Sequence, residues 1–515
     1  MKTLLLSTCL MISSLISGQV YGVLDYEYIA EVQGGFKVFL DTEDWFGYAV
    51  EAIGDLNQDG FQDIAVGTIK DDDGGFNHGA VYILFLDANG AVITHQKISD
   101  TEGGFLGQLD EWDIFGTSIS YLGDMNGDGL VEIGVGAEYD GDGGIWRGAV
   151  WILSLNSDGT VAAYTKISDT EGNFLAPLED RDVFGTDIEL LGDFNGDGNQ
   201  DIAVSARRDQ SRGAVYILFL NDDFTVDSYQ EISSGTGGFD VTLDLQDYFG
   251  GSVANIGDLD GDGVIDLAVG AYRDDDGGSN RGAVYILFMN EDGTVASHQK
   301  ISDTEGNFDA GFNGNMFFGK SIDYAGDINN DERVDIVVGA RGFWGENAGN
   351  FGAFFIINLN NDGTVHDYVM YTEGLHNFDG DINPQDSFGF SVSHMYDATA
   401  DTHSIISGAF ADEVGSPEEG SVWTLKLGGI LEITEVENNL GLALAPNPTR
   451  NAFRLSNIDG IEKIAVYDMS GKQLVAYQPA QTGNYFDVSY LSVGHYLVEV
   501  MNEQGEMARF KIIKE

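Results

Sequence analysis

The sequence predicts an all-β chain: a six-bladed β-propeller of four-stranded blades followed by a small C-terminal β-sandwich. Three observations carry this reading. The pair Phe-Gly recurs at 46, 115, 184, 249, 318 and 388, at intervals of 69, 69, 65, 69 and 70 residues. Another Phe stands ten residues before each pair, at Phe36, Phe105, Phe174, Phe239, Phe308 and Phe378. Within the units, runs of Val, Ile, Leu, Tyr and Phe bounded by Gly and Asp clusters read as short strands, and no stretch sustains a helical period. Four strands repeating at this length make a propeller blade with a long connecting loop.

The elements follow in chain order. "MKTLLLSTCLMISSLISGQ" has one Lys, an apolar stretch and small residues near Ser17 and Gly18, which predicts a secretory signal peptide over residues 1–18. The single cysteine, Cys9, lies inside it, so the exported chain has no disulfide to rely on. "YIAEVQGGFKVFLDTEDWFG" matches the tail of a unit without its three preceding strands, and the sixth unit stops after "GSVWTLKL". An N-terminal strand near Tyr26 to Val32 is therefore expected to complete the last blade and close the ring over residues 23–427.

The chain is strongly acidic. Its 85 Asp and Glu against 24 Lys and Arg give a formal charge of -61, which repels phosphate backbones and anionic lipid surfaces and excludes nucleic acid as a partner. After the signal peptide no segment has the long uncharged apolar run of a membrane span.

Much of the charge falls at fixed spacing. Eight residues after each of the first five Phe-Gly glycines stand "DLNQDGFQD", "DMNGDGLVE", "DFNGDGNQD", "DLDGDGVID" and "DINNDERVD". Positions one, three, five and nine always carry a side-chain oxygen, and Gly holds position six in four of the five. Calcium takes six to eight hard oxygen ligands, and a tight turn aims alternate side chains and one backbone carbonyl at a common point. The expected ligands are Asp55, Asn57, Asp59, the Phe61 carbonyl and Asp63 in unit one, and Asp124, Asn126, Asp128, the Leu130 carbonyl and Glu132 in unit two. In unit three they are Asp193, Asn195, Asp197, the Asn199 carbonyl and Asp201, and in unit four Asp258, Asp260, Asp262, the Val264 carbonyl and Asp266. Unit five offers Asp327, Asn329, Asp331, the Arg333 carbonyl and Asp335, with Glu332 in place of the turn Gly. About five structural calcium ions are expected. An EF-hand shares the Asp-x-Asp-x-Asp-Gly start, but it needs a Glu at position twelve and flanking helices, whereas strand residues follow here at once. "HMYDATADTHS" breaks the spacing in unit six, where no calcium is expected.

These units resemble FG-GAP repeats of the integrin α-subunit propeller type. Phe-Gly, the calcium loop and Gly-Ala-Val are in register, the last as GAV at 79, 148, 213 and 282, GAF at 352 and GSV at 420. The resemblance implies calcium loops on the lower face. It also implies that the long connections before each Phe-Gly and after each "AVGA" strand gather on an upper, ligand-binding face. Integrin propellers have seven blades and this chain supplies six.

No HExxH, G-x-S-x-G or P-loop occurs, and no catalytic residue is assigned. His95 and His298 share a repeat phase with Tyr164 and Tyr229, which predicts a structural role. Aromatics in the variable second loops, Phe76, Trp146, Phe343 and Trp344, are the candidate ligand contacts, suited to stacking on sugars or anchoring a protein.

A linker over 428–444 leads to a tail of different composition. Residues 445–515 carry 7 basic and 8 acidic side chains, and "KIAVYD", "GHYLVEV" and "RFKIIK" predict strands of an antiparallel sandwich. The pieces "PNP", "VYDMSGK", "LSVGHYLVEV" and "KIIKE" closely resemble the type A C-terminal sorting domain of the type IX secretion system. That resemblance implies handling by the type IX machinery and a place outside the cell, on its surface or released. The expected function is a secreted or surface-displayed calcium-binding propeller that binds a protein or polysaccharide ligand. The alternative is an extracellular carbohydrate-binding or carbohydrate-active protein using the same upper face.

Overall fold

The computed structural model describes residues 21–342 except 313, residues 351–430 except 377, 384, 399, 415 and 416, and, in the tail, residues 442, 444–445, 452–455, 460–467, 473–477, 484–491, 494–502 and 507–514. Six four-stranded antiparallel sheets make the blades, the first five with their strands in simple chain order. Blade one is typical: Phe46–Gly54, Asp63–Thr68, Ala80–Leu86 and Val92–Ile98. Burial along the blade explains the sequence pattern. The two middle strands, sandwiched between neighbouring blades, are buried at every residue and read as unbroken apolar runs such as "AVYILFL". The outermost strand, "VITHQKI", is buried only at its ends and, apart from Ile93, is polar between them. The first strands of successive blades contact one another around the axis, including the first strand of blade six against that of blade one.

The ring closes through a strand from the other end of the chain. Tyr21–Ile29 pairs antiparallel with Ser421–Ile430, so blade six has the order N-terminal strand, Ser421–Ile430, Thr402–Ala409, Ser391–Asp397. Val32 lies beyond that strand in a turn, with φ 55.

The repeated motifs are the joints between blades. Each Phe of a Phe-Gly pair is fully buried and stacks on the Phe ten residues before it, for example Phe36 on Phe46 at 4.9 Å and Phe174 on Phe184 at 4.6 Å. Burying such a ring contributes roughly 1.5–3 kcal/mol. At five of the six junctions the glycine that opens Gly-Ala-Val, or its variant, in one blade forms a parallel bridge to the Phe-Gly phenylalanine of the next, as Gly79 does to Phe115, and Gly420 returns to Phe46 to complete the circle. At Gly79, φ is +84 and a Cβ would lie 2.2 Å from the Phe115 carbonyl oxygen, so only glycine allows the blades this close. The hydrophobic core is accordingly divided into clusters shared by adjacent blades; one joins Ile406 and Val422 of blade six to Phe46, Ile64 and Leu84 of blade one. His95 and His298 pack edge-on against Phe36 and Phe239, as Tyr164 and Tyr229 do against Phe105 and Phe174.

The tail has two antiparallel sheets. One holds Leu444–Ala445, Ala452–Leu455 and Tyr485–Asp487; the other holds Gln473–Tyr477, Ile461–Tyr467, Gly494–Asn502 and Met507–Lys514. Phe453, Phe486, Ile464, Val498 and Ile512 from both sheets share one core, which makes a sandwich.

Candidate metal centres and channel

Antiparallel order puts the loop between the first and second strands of a blade at one end of the ring, and the loop between the second and third at the other. The five acidic loops, with a side-chain oxygen at positions one, three and five, occupy the first of these ends, here the lower face. In unit four the turn is organised by its own carboxylates: Asp258 accepts hydrogen bonds from the amides of Gly261, Asp262 and Gly263 at 2.7, 2.9 and 2.9 Å, and Asp262 accepts from Val264 at 2.8 Å. The result gathers the carboxylates of Asp258, Asp260 and Asp262, with ligand oxygens all within 4.8 Å of one another. Unit one repeats the turn, Asp55 accepting from Asp59 and Gly60 at 2.9 Å each and Asp59 accepting from Phe61 at 3.0 Å. In unit two Asp124 accepts from Gly129 at 3.0 Å, and Asp128 accepts from Leu130 at 2.8 Å. In unit three Asp197 accepts from Asn199 at 2.8 Å. The position-three amides Asn57, Asn126 and Asn195 each accept from the backbone of position five at 2.9 Å.

Position nine differs from the others in burial. Asp63, Asp201, Asp266, Asp335 and Glu132 are at most 1 % exposed, whereas Asp258, Asp260 and Asp262 are exposed. One oxygen of Asp266 accepts from Leu259 of its own loop at 2.9 Å and the other from Met289 at the end of the third strand at 3.1 Å. Asp63 and Asp201 repeat this with Leu56 and Leu86, and with Phe194 and Leu220. Burial pushes the Asp266 carboxyl up to about 6 and that of Asp335 up to about 8. The position-nine carboxylate thus ties the loop to the sheet, a task that spacing alone did not reveal.

The fifth loop departs from the rest. The Arg333 guanidinium donates to Asp331 at 3.2 Å and the Asn358 amide donates to the same oxygen at 2.8 Å, so the chain already supplies a cation and a donor there. Glu332 takes the left-handed φ of 68 where the other loops have Gly, for example Gly263 at 96. In unit six a hairpin joins Ser391–Asp397 directly to Thr402–Ala409.

The acidic loops of the upper face solve the same electrostatic problem from within. Lys97 lies 2.6 Å from both Asp71 and Asp73; Lys166 lies 2.7 and 2.8 Å from Asp140 and Asp142; Lys300 lies 2.7 and 2.6 Å from Asp274 and Asp276. Among the described residues no Lys or Arg pairs with the lower loops of units one to four. Their oxygen-only donor sets, held in the turn by backbone amides, therefore fit a hard divalent cation.

Of the expected ligand contacts, Phe76 is 50 % exposed and packs edge-on against Trp112 at 4.9 Å, bridging two blades. Trp146 stacks on Tyr139 at 4.9 Å with the Arg181 guanidinium 5.6 Å from its ring. Both cap loops locally. Phe343 and Trp344 lie outside the described residues.

Sequence reading missed the axis. A channel cavity of about 60 Å³ is lined by Glu51, Asp187, Glu189, Lys320 and Asp323. These acids come from blades one, three and five, and each of three reaches the following blade: Glu51 accepts from the Tyr121 amide at 3.1 Å, Asp187 from Val253 at 2.8 Å, and Asp323 from His394 at 2.5 Å. Burial, then the neighbouring carboxylates, raises Glu51 and Glu189. The signal was present in the residue four places after the Phe-Gly glycine, which alternates acidic and small: Glu51, Ser120, Glu189, Ala254, Asp323, Ser393.

Comparison with known proteins agrees with this architecture. FG-GAP repeat models match residues 184–218 and 244–288, and the model of the secretion system C-terminal sorting domain matches residues 443–515. The chain is 31 % identical to integrin alpha-5 of Xenopus laevis over 260 residues, which is 49 % of this chain and 22 % of that one. It is 38 % identical to integrin alpha-2 of Mus musculus over 94 residues, 18 % of this chain and 7 % of that one. The chain therefore spans less than a quarter of the length of these curated relatives. Among solved structures a Dos1 propeller matches 96 % of each chain at 12 % identity with a TM-score of 0.33. No helix among the described residues is long and apolar enough to cross a membrane. The protein carries FG-GAP repeats in its propeller and ends in a sorting domain of the type IX secretion system, which sends it to the cell surface or the medium.

Proposed function

We propose that this protein is an extracellular binding module whose propeller is stiffened by calcium in its lower loops and recognises a macromolecular ligand on its upper face. Residues 1–18 are then the export signal, 23–427 the propeller, 428–444 the linker and 445–515 the sorting tail. The observation that carries the reading is a contrast between the faces: in units one, two and four a carboxylate pair of the upper loop is neutralised by Lys97, Lys166 or Lys300, while the lower loops of units one to four present oxygens with no cation of the chain paired to them among the described residues. Bound calcium removes the repulsion within those turns and fixes the first two strands of each blade. The same contrast favours binding over catalysis, because the paired upper-loop carboxylates are held by ammonium groups rather than left free for acid and base work.

The loops of units one to four bind calcium through the side-chain oxygens of positions one, three, five and nine and the position-seven carbonyl. The fifth binds weakly because Arg333 engages Asp331. The test is a screen of the full mature chain against glycans and surface proteins, with calcium and with EGTA, alongside elemental analysis. Four tightly held calcium ions per chain and capture of a ligand without turnover are expected. Absence of stoichiometric calcium, or polysaccharide cleavage abolished by one carboxylate substitution, would overturn it.

A further inference from the structure

The upper mouth of the channel reverses the charge of the rest of the propeller. Residues 23–427 contain 16 Lys and Arg. Five of them, Arg207, Arg208, Arg273, Lys320 and Arg341, surround this one opening, linked through the rings of Tyr248, Tyr272, Phe317 and Phe390. Arg207, Arg208, Arg273 and Arg341 follow the second strands of blades three, four and five, and Lys320 stands in the first strand of blade five.

These cations are unequally matched. Arg207 is 8 % exposed and makes a two-pronged ion pair with Glu138, at 2.7 and 3.1 Å. Arg208 and Arg273 make no side-chain hydrogen bond or ion pair among the described residues, and the Nε of each is buried without an acceptor. Their guanidinium carbons lie 5.9 and 4.9 Å from the centre of the Tyr248 ring. Lys320 stands 4.3 Å from the Phe390 ring; Asp187 and Glu138 attract it, Arg207 and Arg341 oppose it, and burial with that crowding pushes its pKa down to about 8. A guanidinium half removed from water with no acceptor is a costly arrangement in the free protein, and an oxyanion laid against it supplies what is missing.

We propose that Arg208 and Arg273, both beside the Tyr248 ring, bind a single carboxylate of a partner protein, an Asp or Glu side chain on an otherwise weakly charged segment. This deepens, and rests on, the reading of the upper face as the binding face. The surroundings select one charge rather than many. Next to Arg208 a cleft of about 390 Å³ is lined by Glu179, Asp180 and Asp182, and the whole chain carries -61, so an extended polyanion meets repulsion within a Debye length of the patch. The protein's own cations flank the Tyr248 ring, which leaves hydrogen-bond donors rather than a stacking platform for a sugar.

The experiment pans the calcium-loaded full-length protein against two displayed libraries of short random peptides, alike except for a fixed central Glu in one and Gln in the other. Enrichment from the Glu library is expected, with recovered peptides binding about tenfold or more weakly to Arg208→Gln/Arg273→Gln and in raised salt. The double variant is used if its melting temperature and calcium content match the parent; otherwise the two single variants replace it. Equal enrichment from both libraries, or peptides that bind parent and variants alike, overturns the proposal. Binding of polygalacturonate, lost in the variants while Glu peptides do not bind, overturns the assignment to protein. Ligands from the surface-protein and glycan screen whose binding ignores both substitutions overturn this inference and leave the binding-module reading standing; a screen with no ligand at all removes both.

Discussion

Asp262→Asn should change the stability of the propeller in opposite directions with and without calcium. Asp258, Asp260 and Asp262 present oxygens within 4.8 Å of one another and are exposed, so the interaction is mostly that of charges in water. At about 5 Å each like-charged pair then costs about 0.8 kcal/mol. The substitution removes two of the three pairs, relieving about 1–2 kcal/mol in the metal-free state, less in high salt. It keeps the turn, because the Asn carbonyl oxygen can still accept from the Val264 amide that Asp262 holds at 2.8 Å. In calcium the balance reverses: an ion present at about a hundred times its dissociation constant adds about 2.7 kcal/mol, and a site short of one charged ligand forfeits most of that. Scanning calorimetry in EGTA and in millimolar calcium measures both. A higher melting temperature in EGTA together with a lower one in calcium is expected. Loss of stability under both conditions, or a parent protein indifferent to EGTA, would refute the reasoning.

Two further outcomes follow from the same charges. Lys166→Met leaves the buried Asp140 and the half-buried Asp142 without their ammonium and should destabilise the protein by about 3–5 kcal/mol in urea unfolding, with the calcium content unchanged; partial recovery on adding Asp140→Asn and Asp142→Asn is the check on the cause. Burial pushes Asp44, Asp113 and Asp386 up to about 7 and Asp182 and Asp247 up to about 6. Their native forms bind a proton more tightly than the unfolded chain does, so this contribution is complete below about pH 4 and is lost as the pH rises through 6 to 7. In EGTA the melting temperature should therefore fall between pH 5 and pH 8, and Asp113→Asn should flatten the fall; a rise over that range contradicts it.

What could be read in advance was whatever repeats. Phe-Gly, the Phe ten residues earlier and the glycine of Gly-Ala-Val recur because each blade must meet the next in the same way, and the contact between Gly79 and Phe115 shows why that glycine cannot be replaced. The acidic loops were legible for a related reason: a turn that aims oxygens at one point must place them at fixed spacing. The axis was harder. Glu51, Glu189 and Asp323 are far apart in the chain, and the alternation that joins them is one residue wide in units of nearly seventy.

The sequence by itself determined the number of blades, the strand order within each and the five turns rich in side-chain oxygen, because these depend on local pattern repeated in phase. Only the tertiary structure decided which charges are matched. Lys97, Lys166 and Lys300 reach carboxylates more than twenty residues away, Arg333 enters its own loop, and Arg208 and Arg273 meet at Tyr248 with no acceptor. Coulomb energy depends on distance and burial in space, and a ring brings together ends of strands that the chain keeps far apart.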